Sequence, residues 1–161
     1  ITSIALLHET LHRSHDLSRI KMGDYIRTLT GHLFRSYGVD PTLISLELNV
    51  DDVEFDIETG LTCGLIIDEL VSNCLKHAFI DDSGGTVHID LLDHVDGTFT
   101  LCVSDNGIGI PKDGVLNNPD SLGLELVTLL AEKLDGSTEL RSGAGTEWQI
   151  RFQQLQYSER V

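Results

Sequence analysis

Hydrophobic positions recur along this chain with two periods, and their alternation predicts the elements. Ile4, Leu6, Leu7 and Leu11 make Ile1 to about His15 helical, and Ser18 to Met22 then reads as a turn. Tyr25, Ile26, Leu29, Leu33 and Phe34, at three-to-four spacing, predict a second helix from Gly23 or Asp24 through Tyr37, stopped by Gly38 and Pro41. Between Leu43 and Val50 the period drops to two, with Ile44, Leu46, Leu48 and Val50 on one side of a strand; Val53 to Phe55 offers a short partner. A long helix follows from about Glu58 to Phe79, Gly60 and Gly64 weakening its first turns by roughly 1 kcal/mol each.

Asp82-Ser83-Gly84-Gly85 is a turn, and Thr86 to Leu92 and Thr98 to Ser104 alternate as strands joined at Asp96-Gly97. Lys112 to Asp120 is a polar loop, Ser121 opens a helix through Leu134, and Gly136 ends it. Ser137 to Arg141 and Thr146 to Phe152 form a last hairpin around Gly143 and Gly145, and Gln153 to Val161 is a frayed tail. This order suggests an α/β (α+β) two-layer sandwich, a mixed, largely antiparallel sheet covered by helices on one face and preceded by helical segments.

On the long helix, Glu69, Asn73, Lys76 and His77 fall within roughly a 100° arc, with Cys63, Ile66, Ile67, Leu70, Val71, Cys74, Leu75 and Ala78 on the packed side. The carboxylate can accept a proton, the amide oxygen can ligate a hard cation, and the cationic donors can hold phosphate oxygens. An ordinary solvated helix face has the same pattern. Asp105-Asn106-Gly107-Ile108-Gly109 sets a carboxylate at a strand end before two glycines, suiting an exocyclic amine and a planar ring, or a plain Asn-Gly turn. Ser121-Leu122-Gly123-Leu124 opens a helix whose free N–H groups can cradle phosphate, although a simple Ser cap explains it equally well.

Charge and composition narrow these options. The 161 residues, 40% hydrophobic, suit one compact domain, and a net charge of −15 argues against a nucleic-acid or anionic-membrane surface, so any phosphate binding must be local. Cys63, Cys74 and Cys102 lack C-x-x-C spacing and sit in apolar contexts, as buried thiols of a reducing compartment do. No run approaches the roughly 18 apolar residues of a membrane span. A cytoplasmic location is the expectation, and the missing initiating Met suggests a piece of a longer protein whose other parts could include a membrane attachment.

Taken together, E-x-x-x-N-x-x-K-H at Glu69 to His77, D-x-G-x-G at Asp105 to Gly109, S-L-G-L-x-L-V at Ser121 to Val127 and Gly145-Thr146 before the final strand resemble the ATP-binding domain shared by sensor histidine kinases, Hsp90, type II topoisomerases and MutL proteins. The resemblance covers about residues 42–153, and Lys76-His77 with the short lid is similar to the histidine-kinase branch. Ser3 to Ser14 and Tyr25 to Leu29 look like the second dimerisation helix and linker helix of its short-lid subfamily.

The resemblance implies a Bergerat-type fold and three segments: a helical remnant over 1–38, the ATP-binding domain over 39–153 and a tail over 154–161. It also implies ATP and magnesium as ligands, with Asn73 on the metal and Lys76 and His77 on phosphates. Asp105 would take the adenine amine, directly and through water shared with Thr146. Gly107, Gly109 and Ile110 would line the base, Leu122, Gly123 and Leu124 would approach the phosphates, and Glu69 would assist phosphoryl transfer. The implied reaction passes the γ-phosphoryl to a histidine that is absent from this piece, which should therefore bind nucleotide without autophosphorylating. The implied partners are a second copy in the intact protein and a response-regulator receiver domain. Ser121 stands where glycine is common and no phenylalanine box precedes it, which points to a mobile lid and modest affinity. The alternatives are a related ATPase or Ser/Thr-directed kinase, a degenerate dimerisation module, and a zinc peptidase from His8-Glu9-Thr10-Leu11-His12, which lacks a glycine-spaced third ligand.

Overall fold

In the computed structural model the described residues are Ala5, 18–79, 84–109 and 121–153. The expected first helix, the H-E-x-x-H stretch, Asp82-Ser83, the lid from Lys112 to Asp120 and the tail beyond Gln153 lie outside them.

Among the described residues five strands form a mixed sheet against which the helices pack. β2 (Ile44–Val50) runs parallel to β4 (Gly85–Asp93); β4 then pairs antiparallel with β5 (Thr98–Asp105), β5 with β7 (Gly145–Gln153) and β7 with β6 (Ser137–Gly143), in the order β2-β4-β5-β7-β6. The period-two pattern sends Val87, Ile89 and Leu91 from β4, Phe99, Leu101 and Val103 from β5 and Ile150 and Phe152 from β7 into the core. The opposite face carries Glu47, His88, Glu139 and Arg141, so it stays polar. This is the mixed, largely antiparallel sheet with one covered face that the alternation implies.

Among the described residues three helices cover that face: α1 (Met22–Ser36), α2 (Ile57–Asn73) and α3 (Ser121–Lys133). α1 buries Met22, Tyr25, Ile26, Leu29 and Leu33, one stripe at helical spacing. It ends as expected at Gly38, whose φ of 62° supports a Schellman closure: the Val39 N–H reaches the Phe34 carbonyl at 3.0 Å and the Gly38 N–H reaches that of Arg35 at 3.1 Å. α3 closes in the same way, with Gly136 N–H on the Ala131 carbonyl at 2.9 Å. The left-handed residue is Asp135, φ 53°, rather than Gly136. Glycine is needed at position 136 for space, since a Cβ there would sit 2.5 Å from the Arg151 carbonyl.

Two local readings change. Arg19–Lys21, expected as part of a turn, is a strand, β1, and it pairs antiparallel with β3 (Glu54–Asp56) in a separate two-stranded sheet. The short segment near Val53 therefore partners β1 and not the strand at Ile44–Val50. The reason is burial: Ile20 and Phe55 lie opposite one another, both fully buried, and a three-residue strand is too short to register as alternation. Gly60 and Gly64 also acquire a purpose. A Cβ on Gly60 would lie 2.6 Å from Ile20 Cδ1, and one on Gly64 would strike the Tyr25 ring, so these glycines let β1 and α1 pack directly on α2. Burial, with the Asp68 carboxylate next in weight, pushes the Tyr25 hydroxyl up to about 12. Beneath the sheet, Phe55 meets Phe99 edge-on at 4.8 Å between centroids.

Candidate nucleotide-binding site

The long central helix is not uniform. Asp56 caps its start, its Oδ1 accepting the Thr59 N–H at 2.8 Å, and the α-helical part stops at Asn73. Cys74–Ala78 follows as a π-helical turn, which a uniform 100° step does not anticipate. Glu69 and Asn73 are half-buried, whereas Lys76 and His77 on the π turn are exposed. Lys76 Nζ stands 5.9 Å from the centroid of the Tyr37 ring, at the end of α1.

Main-chain contacts lock the π turn to the loop after β5. The Ile108 N–H donates to the Ala78 carbonyl at 3.0 Å, and Gly107 lies so close to that carbonyl that any side chain would collide with it. Asp105, 8% exposed, closes β5; its Oδ1 accepts the Gly107 N–H at 2.9 Å and its Oδ2 accepts the Cys74 thiol at 3.2 Å. Asn106 ties the same loop to β4, its Oδ1 accepting the Thr86 N–H at 2.7 Å.

The hairpin between β6 and β7 closes the other side. Asp105 and Thr146 are register partners across β5 and β7. Gly145, φ 124°, lies directly against the Asp105 carbonyl, and a Cβ on Gly109, φ 77°, would be 2.8 Å from the Gly143 carbonyl. Both positions require glycine twice over, by conformation and by space. At the mouth of α3, a Cβ on Gly123 would be 2.6 Å from Glu69 Oε2, which brings the Gly123 backbone to the carboxylate. Leu124 packs on the core. Ile110 and the Leu122 side chain lie outside the described residues.

The structure thus draws Asp105, Gly107, Gly109 and Thr146 into one end of the site, and Glu69 and Gly123 into another beside Asn73. Lys76 reaches towards Tyr37. Sequence reasoning missed the Cys74 thiol, the Ala78 carbonyl and Asn106, because their contributions depend on the π turn and on contacts across 31, 30 and 20 residues respectively. Cys74 stood on the packed side of the helix, and its neighbour Asn73 was the only hint. All three cysteines are free and buried, as expected. Burial, reinforced by the Asp105 carboxylate, pushes the Cys74 thiol up, so it remains a donor.

One orphan matters for metal binding. Asn73 Nδ2 is buried without a hydrogen-bond partner. An amide is fixed by its network, and turned about its axis it would present an oxygen, the donor a hard cation prefers, one helical turn from the Glu69 carboxylate. The donor set therefore fits magnesium.

Comparison with known proteins shows the family. Residues 59–156 match the family described as histidine kinase-, DNA gyrase B- and HSP90-like ATPases, and residues 1–37 match a histidine kinase family. The sensor histidine kinase PdtaS of Mycobacterium tuberculosis is 31% identical over 156 residues, covering 94% of this chain and 30% of the relative. A blue-light-activated histidine kinase of Erythrobacter litoralis is 32% identical over 104 residues, 64% of this chain and 30% of the relative. The chain thus spans about 30% of the length of these relatives. Among solved structures, the histidine kinase domain of an Erythrobacter litoralis blue-light-activated kinase superposes with a TM-score of 0.82 at 25% identity, over 95% of this chain and 72% of that one. No described helix is long and apolar enough to cross a membrane. The chain belongs to the histidine kinase-, DNA gyrase B- and HSP90-like ATPase family, on its histidine-kinase branch.

Proposed function

We propose that the chain binds ATP with magnesium and supplies the catalytic part of a two-component sensor histidine kinase, passing the γ-phosphoryl to a histidine nitrogen. One observation carries this reading. The Asp105 carboxylate is buried at the end of β5, its two oxygens held by the Gly107 N–H and the Cys74 thiol, beside closely packed backbone at Gly107, Gly109 and Gly145.

The Asp105 carboxylate accepts the adenine amine, with Thr146 sharing a water beside it, and Gly107, Gly109 and Ile110 line the ring. The backbone of Leu122, Gly123 and Leu124 at the start of α3 offers N–H groups to phosphate oxygens, joined by the exposed side chains of Lys76 and His77. Asn73 holds magnesium, which when bound neutralises charge on the phosphate oxygens. Glu69, at the mouth of α3, orients the acceptor, and the chain's contribution is chiefly positioning and charge compensation. Residues 1–38 form the end of a dimerisation and linker region and 39–153 the nucleotide-binding domain. The intact protein is a homodimer that hands phosphate to a receiver domain, with this part in the cytoplasm.

Isothermal titration of ATP with magnesium into the chain and its Asp105→Ala variant tests the reading. Binding to the first and loss in the second is expected. Absence of binding to both, or equal binding, would overturn it.

A further inference from the structure

We propose that Cys74 is a positioning residue for adenine recognition, its thiol and the Gly107 N–H together clamping the plane of the Asp105 carboxylate so that a lone pair meets the 6-amino group. This deepens the proposed function and rests on its placement of adenine at Asp105.

The torsion that rotates a carboxylate about its own bond is broad and roughly two-fold. One hydrogen bond leaves it free to swing. At Asp105 both oxygens are held from different directions: Oδ1 by the Gly107 N–H at 2.9 Å, two residues on, and Oδ2 by Cys74 Sγ at 3.2 Å, 31 residues back on the π turn. Each oxygen of a carboxylate has about two lone-pair sites, so after these two bonds each retains capacity for a ligand donor. The carboxylate is buried and Cys74 is 8% exposed, so water offers little competition for the thiol's weak bond.

The backbone sets where the sulfur sits. The Cys74 N–H is bonded to the carbonyls of Leu70 and Val71, at the junction where the α-helix becomes a π turn. That junction places Asn73 towards the cation position and Cys74 towards Asp105 in consecutive residues. The thiol thereby joins the adenine end of the site to the helix that carries the phosphate end.

The test measures the affinity of wild type, Cys74→Ala, Cys74→Ser and Asp105→Ala for two magnesium-bound ligands, ATP and purine riboside 5′-triphosphate, which lacks the 6-amino group. Loss of the donor should weaken ATP about three- to tenfold, leave the amine-free nucleotide within twofold, and be rescued by Cys74→Ser, whose hydroxyl donates in the same place. Should Cys74→Ala unfold below the titration temperature, Cys74→Val, which fills the space without donating, carries the same comparison. Equal weakening of both nucleotides, or a variant indistinguishable from wild type while Asp105→Ala loses ATP, would overturn the role of Cys74 and leave the proposed function standing. Wild type failing to favour the amine-bearing nucleotide would overturn both.

Discussion

The two ends of the site are built from different materials. At the proposed adenine end the walls are backbone: Gly107 on the Ala78 carbonyl, Gly109 on the Gly143 carbonyl, Gly145 on the Asp105 carbonyl, with the buried carboxylate held at both oxygens. At the proposed phosphate end stand the tips of Glu69, Asn73, Lys76 and His77, half-buried or exposed, with Glu69 next to the start of α3. Backbone walls are fixed when the sheet forms, whereas long side chains retain rotamer freedom until a ligand orders them. If the proposed function holds, the base is selected by a finished surface, and the phosphates are met by one that completes itself on binding.

The largest effect should follow from breaching a backbone wall. Gly145→Val adds a β-branched side chain at φ 124° directly against the Asp105 carbonyl, combining backbone strain with overpacking. The two penalties together should cost about 3 kcal/mol or more, lowering the melting temperature by roughly 10 °C. A melt within about 1 °C of wild type would show that this wall yields.

Asn73→Ala tests the other end. It deletes the amide whose nitrogen is orphaned in the free protein, so stability should hardly move. ATP affinity in magnesium should fall by about ten- to thirtyfold, the weight of a bond to a charged group, with little change when the metal is chelated. Equal loss with and without magnesium would remove Asn73 from the metal.

Much of the fold was legible because the strands and helices obey simple periods: Val87, Ile89 and Leu91 alternate, and Tyr25, Ile26, Leu29 and Leu33 form a stripe. The glycines after Asp105 were legible as places of close backbone approach, which the structure shows against the Ala78 and Gly143 carbonyls. What could not be read was geometry set at long range. The β1 strand around Ile20 takes its identity from Phe55, 35 residues away, and the π turn at Cys74–Ala78 is held by its contact with Ile108. The Cys74 thiol looked like core because its helix position is core; only the fold brings Asp105 to it. Gly60 and Gly64 looked like weak points for the same reason, their partners Ile20 and Tyr25 being remote in sequence.

Gly123→Ala separates clash against backbone from clash against a flexible tip. The added methyl would lie 2.6 Å from Glu69 Oε2, the far end of a side chain that can swing aside, and alanine is the better helix former by about 1 kcal/mol. The thermal melt should therefore be unchanged or slightly raised. A loss above 2 kcal/mol would mean that Glu69 is as rigid as the backbone walls around Asp105.

The smallest effect is the most discriminating. Lys76 rests 5.9 Å from the Tyr37 ring, an exposed cation–π contact worth about 0.5 kcal/mol. If the phosphate end completes itself on binding, Lys76 must leave that ring to reach a phosphate oxygen, and the contact opposes nucleotide. Tyr37→Ala should then tighten ATP by about twofold and Tyr37→Phe, which keeps the ring face, should leave it unchanged. A twofold weakening in Tyr37→Ala would reverse the argument. It would mean that the ring holds Lys76 ready, and that α1, through its last turn, shapes the phosphate end before any nucleotide arrives.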